Sequence, residues 1–240
     1  MRVQRTIIAV LVVLILTFGR QNGHAQTFTN LNFESANLPV VTSGQSGGLV
    51  PVSAGLPGWT VFFGNQQGTL VLHNDLTAGG ASVDILGPVS APTAIIDGNY
   101  RAVLQAGRYI AGDVAATIEQ TGLIPVGTQS IQAKFSVGAT DFTVSLNGQN
   151  IPMSPLASAS AFTLFGGDVS AFAGQTVDLS ISALSVSPQN TFNIVSVDSI
   201  VFSTTAVPEP ETWALLLCGA VLFGFGGGIR SGSRGGSVRA

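Results

Sequence analysis

The sequence predicts an all-β protein whose central part folds as one antiparallel β-sandwich. Short runs of alternating or β-branched residues recur through residues 27–205, and turn-forming residues separate them. Between the two ends of the chain, no long stretch has the 3.6-residue period of an amphipathic helix. The two remaining apolar stretches lie at the ends. We therefore divide the chain into a leader at 1–25, a β-domain at 26–205 and a C-terminal signal at 206–240.

Local patterns within the β-domain predict its individual strands. Asn147-Gly148 predicts a hairpin, because both central residues of a type I′ turn have positive φ. Residues 177–181 alternate strictly between apolar and polar, as in a strand with one buried face. Glycine and serine at 43–48 indicate a loop. The predicted strands are 27–34, 60–64, 69–74, 81–86, 93–96, 100–105, 117–120, 130–137, 142–146, 149–153, 162–165, 176–181 and 191–202.

The apolar positions of the later strands are the predicted core. We expect them to face the opposite sheet of the sandwich, because one face of each strand must be buried. These residues are Phe135, Val137, Phe142, Val144, Leu146, Leu179, Ile181, Ile194, Val197, Ile200 and Phe202.

Residues 1–25 have the three parts of a secretory signal peptide. Arg2 and Arg5 supply the positive start, and residues 7–18 form an apolar stretch too short for a typical membrane-spanning helix. Gly23 and Ala25 place small residues at the −3 and −1 positions of a cleavage site after Ala25. The leader therefore predicts export by the secretion machinery. An uncleaved N-terminal anchor is the alternative.

Charge and cysteine content narrow the possible partners of the β-domain. Residues 27–205 carry three basic and ten acidic side chains, a formal charge of −7. This balance gives no electrostatic basis for binding nucleic acid. Cys218 is the one cysteine in the sequence and lies in the C-terminal apolar stretch, so the β-domain has no disulfide. We interpret Cys218 as a small apolar residue, with lipidation as the alternative.

The last part of the chain has three segments in a fixed order. Val207-Pro208-Glu209-Pro210 comes first, and its prolines hold the peptide extended and outside any sheet. An apolar run of 17 residues follows at 213–229, which as a helix would extend about 25 Å and span a thin bilayer core. Trp213 stands where an interfacial anchor belongs, and the basic residues after the run favour a cytoplasmic end. These basic residues are Arg230, Arg234 and Arg239.

This stretch closely resembles the PEP-CTERM sorting signal of Gram-negative bacteria. The resemblance rests on the triplet Pro208-Glu209-Pro210, the Trp213-Ala214-Leu215-Leu216-Leu217 run that follows, and the arginine-containing end. It implies that an exosortase, a membrane transpeptidase-like enzyme, cuts the chain near the triplet. The arginines are more widely spaced here than is usual in the family. An ordinary single-pass anchor that is never cut is the alternative.

Four short segments of the β-domain resemble secreted jelly-roll domains of the galactose-binding or carbohydrate-binding-module type. They are 32–34, 56–59, 167–177 and 197–202. In such domains an acid near the first strand and another in the last strand often hold a structural calcium ion. Glu34 and Asp198 match those places, so the resemblance implies a calcium site there. A hydrogen-bonded pair, or two exposed acids, is the alternative.

The β-domain offers little catalytic chemistry. His73 is its one histidine, and no histidine or cysteine cluster suits zinc. Paired acids remain the one route to glycoside hydrolysis. We interpret His73 as a surface or rim residue. Trp59 is either a core residue or a stacking platform for a sugar.

These features together predict a non-catalytic protein, sorted to the envelope or extracellular matrix of a Gram-negative bacterium. Exosortase systems accompany exopolysaccharide production, so the resemblance also suggests that the β-sandwich binds exopolysaccharide. The alternatives are a carbohydrate-binding module proper and a secreted polysaccharide-degrading enzyme. No cofactor is expected apart from the structural calcium.

Overall fold

The computed structural model describes residues 26–42, 45–75, 79–88, 96–110, 112–186 and 192–207. The predicted signal peptide with Ala25, the triplet Pro208-Glu209-Pro210, Trp213, and the arginines at 230 and 234 lie outside these residues. Among the described residues, no helix has the length and apolar character needed to cross a membrane.

The described residues form an all-β fold of two sheets packed as a sandwich. Within them lie fifteen strands, one four-residue α-helix, α1, and a short 3₁₀ helix at Ser170–Phe172. The elements are β1 (Gly48–Pro51), α1 (Val52–Gly55), β2 (Thr60–Phe63), β3 (Gln66–Gly68), β4 (Leu70–His73), β5 (Ser82–Leu86), β6 (Arg101–Tyr109), β7 (Gly112–Val114), β8 (Ala116–Leu123), β9 (Ser130–Ser136), β10 (Phe142–Leu146), β11 (Gln149–Ile151), β12 (Ser154–Ser158), β13 (Phe162–Asp168), β14 (Thr176–Ala183) and β15 (Asn193–Ser203).

The last strand occupies the middle of the large sheet. That sheet has the order β1-β4-β5-β6-β15-β9-β13-β12, with β7 paired to β6. The small sheet has the order β11-β10-β14-β8-β2-β3. Strands β8 and β14 of the small sheet pack on β5, β6 and β15 of the large sheet, and the buried apolar side chains between them form one cluster.

Alternation along each strand divides the large sheet into an inner and an outer face. On β9, Ala133 and Phe135 lie in the core, whereas Gln132 and Lys134 point to the outer face. On β15, Val195 and Val197 are fully buried between the sheets. The outer face of β9, β13 and β15 is the part of the molecule that carries the candidate site.

Most predicted strands are present, but the first one is wrong. Within 27–34 only Thr27 pairs, in an isolated parallel bridge to Leu123. Asn30 and Phe33 have φ values of 52° and 59°, which no strand accommodates. Phe33 is nevertheless 0% exposed, so its apolar character reflects packing of a turn against the core.

The direction of one strand pair and the number of strands also differ from the prediction. Strands β4 and β5 pair in parallel, whereas an antiparallel sandwich was predicted. The sequence did not predict this pair because a hydrophobic pattern does not encode the direction of the neighbouring strand. Strand β1 begins at Gly48, where the predicted loop ends, and three more short strands were not predicted: β3, β7 and β12. Of the predicted strand 93–96, only Ile96 is described, and it is not in a strand.

Two of the predicted core residues are exposed. Val137 follows β9 in a turn and is 59% exposed. Ile194 lies opposite Gln105, on the outer side of the sheet, and is 45% exposed. Phe142 and Phe202 are half-buried and pack against the core. The others are buried, as predicted: Phe135, Val144, Leu146, Leu179, Ile181, Val197 and Ile200.

Candidate functional site

The fold brings Glu34 and Asp198, the two acids that the family resemblance pairs, to one small cavity. Both line a space of about 140 Å³, together with Asp97 from the turn before β6. The other lining residues are Asn32, Gly98 and Ser199. We call this set the acid pocket.

A β-bulge in the last strand turns Asp198 toward the acid pocket. The pairing of β15 with β9 shifts between Asp198 and Val201, and Ser199 has φ 49°. The backbone N–H of Ile200 donates to the carbonyl of Leu31 at 2.9 Å, which ties the N-terminal segment to the bulge. The segment around Phe33 is thereby fixed beside β15, and Glu34 with it.

Each carboxylate of the acid pocket already accepts hydrogen bonds from a neighbouring loop. Glu34 Oε1 accepts the backbone N–H groups of Asn99 at 2.7 Å and Tyr100 at 2.8 Å, and Oε2 accepts Asn99 Nδ2 at 3.1 Å. Asp198 Oδ2 accepts the N–H of Asp97 at 3.0 Å, and Oδ1 accepts the N–H of Ser199 at 2.6 Å. These bonds hold the 97–100 turn against the bulge.

Asp97 connects the acid pocket to the outer face of the sheet. Its Oδ2 pairs with Lys134 Nζ and accepts the Ser199 hydroxyl at 2.9 Å. Lys134 Nζ also lies 5.0 Å from the centre of the Phe162 ring, within the range of a cation–π contact. The hydrogen bond from Lys134, followed by that from Ser199, lowers the pKa of Asp97.

Asp198 is the buried member of the acid pocket, with 0% exposure. Burial is the main cause that raises the pKa of Asp198 to about 7, and the charges of Asp97 and Glu34 add to it. The N–H bonds from Ser199 and Asp97 oppose this shift. Arg101, 5% exposed on the neighbouring strand β6, interacts electrostatically with both Asp198 and Asp84.

The acid pocket offers only oxygen donors, which is the chemistry that calcium prefers. Within the described residues, however, no three carboxylate, histidine or cysteine groups converge in a way that would hold a metal ion. The observed hydrogen bonds give both acids a role in fixing the 97–100 turn, which neither alternative described: they accept from this turn and from Ser199, and Asp198 is 0% exposed. The calcium site itself stays a prediction.

A larger groove adjoins the acid pocket on the outer face of β9, β13 and β15. It has a volume of about 650 Å³ and shares Asn32, Asp97 and Ser199 with the pocket. Both polar and apolar side chains line it. The remaining lining residues are Leu31, Gln132, Lys134, Leu164, Ile200, Val201 and Ser203. We call this feature the outer groove.

The structure favours the core alternative for Trp59. The side chain is 5% exposed, its ring centre lies 5.7 Å from that of Phe33, and its Nε1 donates to the carbonyl of Asn30 at 3.1 Å. A ring in this position has no free face on which a sugar can stack. The interpretation of His73 as a rim residue is wrong, since it is 3% exposed and burial lowers its pKa.

Sequence reasoning missed the residues that complete the site. None of Asp97, Lys134 and Ser199 was singled out from the sequence. The signal available in the sequence was the position of Lys134, the one lysine of the β-domain, in a strand where its neighbours are apolar. Its ion pair with Asp97 is revealed only by the folded structure.

Comparison with known proteins adds little to this geometry. No family model and no curated protein matches the chain. Among solved structures, the enzymatically active domain of tailspike protein 4 from bacteriophage CBA120 aligns with 60% of this chain at 11% identity and a TM-score of 0.34. The alignment spans 19% of that tailspike chain. A likeness at this level carries no inference about function.

Proposed function

We propose that this chain is a non-catalytic protein of the bacterial envelope or extracellular matrix, exported and sorted by an exosortase-type system. The observation that carries the proposal is the order of the C-terminal part of the sequence. Strand β15, in the middle of the large sheet, ends at Ser203, and the Pro208-Glu209-Pro210 triplet follows within five residues. The apolar run with Trp213 and the arginines at 230 and 234 comes directly afterwards.

The proposal includes the finer fold and the partners of the protein. The sandwich is of the jelly-roll kind, calcium is its candidate structural ion, and the leader is removed after Ala25. The exosortase and the secretion machinery are the protein's processing partners. The membrane holds the C-terminal helix until the chain is cut near the triplet.

Mass spectrometry of the C-terminus after cell fractionation tests the sorting step. The comparison is between the wild-type chain and a variant in which Pro208, Glu209 and Pro210 are replaced by alanine. We expect the wild-type chain to end near Pro208 outside the cell, and the variant to stay full-length in the membrane. Full-length membrane protein in both cases would instead show a plain anchor.

The outer groove supports exopolysaccharide as the ligand of the sandwich. Amide, hydroxyl and carboxylate groups lie next to Leu164 and Val201 in one open groove, which is the mixture that a sugar chain meets in its binding sites. Lys134 is paired with Asp97, and the β-domain carries an excess of acids, so the groove suits a neutral rather than an anionic polysaccharide.

Binding to immobilised neutral and acidic glycans tests this ligand. Replacing Gln132 by alanine removes a polar group of the groove, and Gln67→Ala is the matched control on β3 of the opposite sheet. We expect the first variant to lose most of the binding to neutral glycans and the second to keep it. Equal binding by both variants would remove the outer groove from the proposal.

A secreted polysaccharide-degrading enzyme is the second candidate, because two acids with pKa values shifted in opposite directions line one cavity. Burial raises the pKa of Asp198, whereas the hydrogen bond from Lys134 lowers that of Asp97. The 0% exposure of Asp198 argues against this role, since a general acid must reach the glycosidic oxygen. Release of reducing ends from a bound polysaccharide, lost in Asp97→Asn, would favour the enzyme.

A further inference from the structure

The polypeptide that leads from the last strand to the Pro-Glu-Pro triplet is held on the surface of the β-domain. After Ser203, residues 204–207 leave the sheet, and Val207 is the residue directly before Pro208. Although strand pairing has ended there, Val207 is half-buried. The neighbours of Val207 identify the residues that cover its side chain.

Val207 lies in a notch that a glycine of β13 leaves open. A methyl group added at Gly166 would be 2.9 Å from Val207 Cγ2 and 2.7 Å from Leu156 Cδ1. Both distances are too short for a real contact, so these two side chains occupy the space that any larger residue would fill. Gly166 is opposite Gln132, which places the notch on the same outer face as the groove.

Hydrogen bonds fix the residues between β15 and Val207. The N–H of Gln129 donates to the carbonyl of Ser203 at 2.8 Å, and the N–H of Thr205 donates to Ser203 Oγ at 3.0 Å. The hydroxyl of Ser130 donates to the carbonyl of Thr205 at 2.7 Å. Ser130 is 0% exposed, so releasing Thr205 takes away a partner of a buried polar group.

We propose that this seat, formed by Ser130, Leu156 and Gly166 around Thr205 and Val207, controls the rate at which the chain is cut at the sorting motif. A protease or transpeptidase binds several residues of extended substrate on the amino-terminal side of the bond that it attacks. In the folded domain those residues are held by the seat. Cutting therefore requires local opening of 204–207, and its rate follows the fraction of molecules in which the seat is open.

The inference rests on the proposed sorting function for its biological meaning, but the seat has a test that needs no exosortase. We expect elastase, which prefers small residues, to hydrolyse the bond between Ala206 and Val207 only when residues 204–207 are free. Water supplies the hydroxyl group of the new carboxyl terminus and the hydrogen of the new amine. Mass spectrometry of full-length protein in detergent micelles identifies this cut and its rate.

Gly166→Ala is the informative variant, because it lies about forty residues from the motif and leaves residues 204–207 unchanged. The added methyl displaces Val207, and we expect cleavage after Ala206 to become about tenfold faster, since the open fraction sets the rate. Gly112→Ala is the matched control, because it adds a methyl to a strand glycine with nothing within 4 Å. We expect the control to be cut at the wild-type rate.

A second variant covers the case in which Gly166→Ala does not fold. Ser130→Ala removes the bond to Thr205 and leaves residues 204–207 unchanged, so it should also be cut faster. Unchanged rates in the folded variants would overturn the proposal. In cells, a wild-type chain that is never processed would refute the sorting function but not the seat, whereas normal processing with unchanged elastase rates would refute the seat alone.

Discussion

At the scale of single residues, Glu34 has a structural role that its position in the sequence does not reveal. Its carboxylate accepts three hydrogen bonds from Asn99 and Tyr100, residues more than sixty positions away. The carboxylate lies over Gly98, where an added methyl would be within 2.4 Å of Oε1. The 97–100 turn therefore has little room for any other arrangement.

Replacing Glu34 by glutamine tests this role. The amide cannot accept with both of its polar atoms, so we expect the free energy of unfolding to fall by about 1–3 kcal/mol. Asp168→Asn is the control, since Asp168 accepts one such bond, from Ser170, in an exposed turn. Urea unfolding measures both. A Glu34→Gln loss no larger than that of the control would show that the turn is held by other contacts.

The Glu34→Gln variant also tests the calcium prediction. A divalent cation in the acid pocket would offset the mutual repulsion of Glu34, Asp97 and Asp198, so we expect calcium to raise the melting temperature of the wild-type domain. Glu34→Gln should abolish most of that rise. Melting curves in millimolar calcium and in chelator provide the measurement. A melting temperature that does not depend on calcium would leave these acids with their hydrogen-bonding role alone.

Asp84 makes stability depend on pH. It is 2% exposed on β5, and burial raises its pKa to about 6, reinforced by the charge of Asp75 and opposed by N–H bonds from Asp75, Asn74 and Ile85. A raised carboxyl pKa means that the folded state binds the proton more tightly than the unfolded chain. Stability from this group is therefore complete below the unfolded pKa near 4, and is lost as the pH rises through 6.

We predict that Asp84→Asn reduces the loss of stability between pH 4.5 and pH 8 by about 2–3 kcal/mol, the equivalent of a two-unit shift in pKa. Part of the loss should remain, because Asp198 titrates in the same direction with a pKa of about 7. Urea unfolding at the two pH values gives the difference. If the variant loses as much stability as the wild type, the carboxyl of Asp84 is not the group that titrates.

At the scale of elements, the sequence fully explains the shape of the turn in the β10–β11 hairpin. Asn147 and Gly148 have φ values of 49° and 75°, as a two-residue type I′ loop requires. Nothing lies within 4 Å of a methyl group placed at Gly148. Gly148→Ala thus changes only the backbone preference, and we expect it to destabilise the domain by about 1 kcal/mol.

Gly112→Ala in β7 is the control for this prediction as well. It too has free space around an added methyl, but its φ does not lie in the left-handed region. We expect it to be neutral or slightly stabilising, because alanine reduces the freedom of the unfolded chain. Chemical unfolding of both variants separates the two cases. Equal effects would mean that alanine adopts the positive φ at position 148 without strain.

The hairpin also shows which elements the sequence could predict. Its turn, its register and the alternation of 177–181 depend on neighbouring residues, so local patterns suffice for them. The acid pocket depends on a bulge at Asp198 and on positive φ at Phe33 and Ser199. Those features are set by packing between distant segments, and no local pattern encodes them. The pairing of Glu34 with Asp198 was available only through a family resemblance.

At the scale of the whole molecule, the position of β15 makes the fold depend on the end of the β-domain. This strand pairs with β6 on one side and with β9 on the other, and so joins the two halves of the large sheet. It also supplies the buried residues Val195, Val197 and Ile200 to the core. Neither half of the sheet can bury its inner face fully until β15 has been added.

Truncation after three different residues tests this dependence. We predict that a chain of residues 26–207 unfolds cooperatively. A chain ending at Ser203 should still fold but be less stable, because it loses the bond from Ser130 to Thr205 and the packing of Val207 on Gly166. A chain ending at Phe192 lacks β15 and should show no cooperative transition, because the large sheet is left in two parts and their inner faces are exposed. Circular dichroism and urea unfolding measure all three. A cooperative transition in the shortest chain would mean that β6 and β9 form a stable sheet without β15. In that case the domain would fold before the segment that leads to Pro208-Glu209-Pro210 is attached to it.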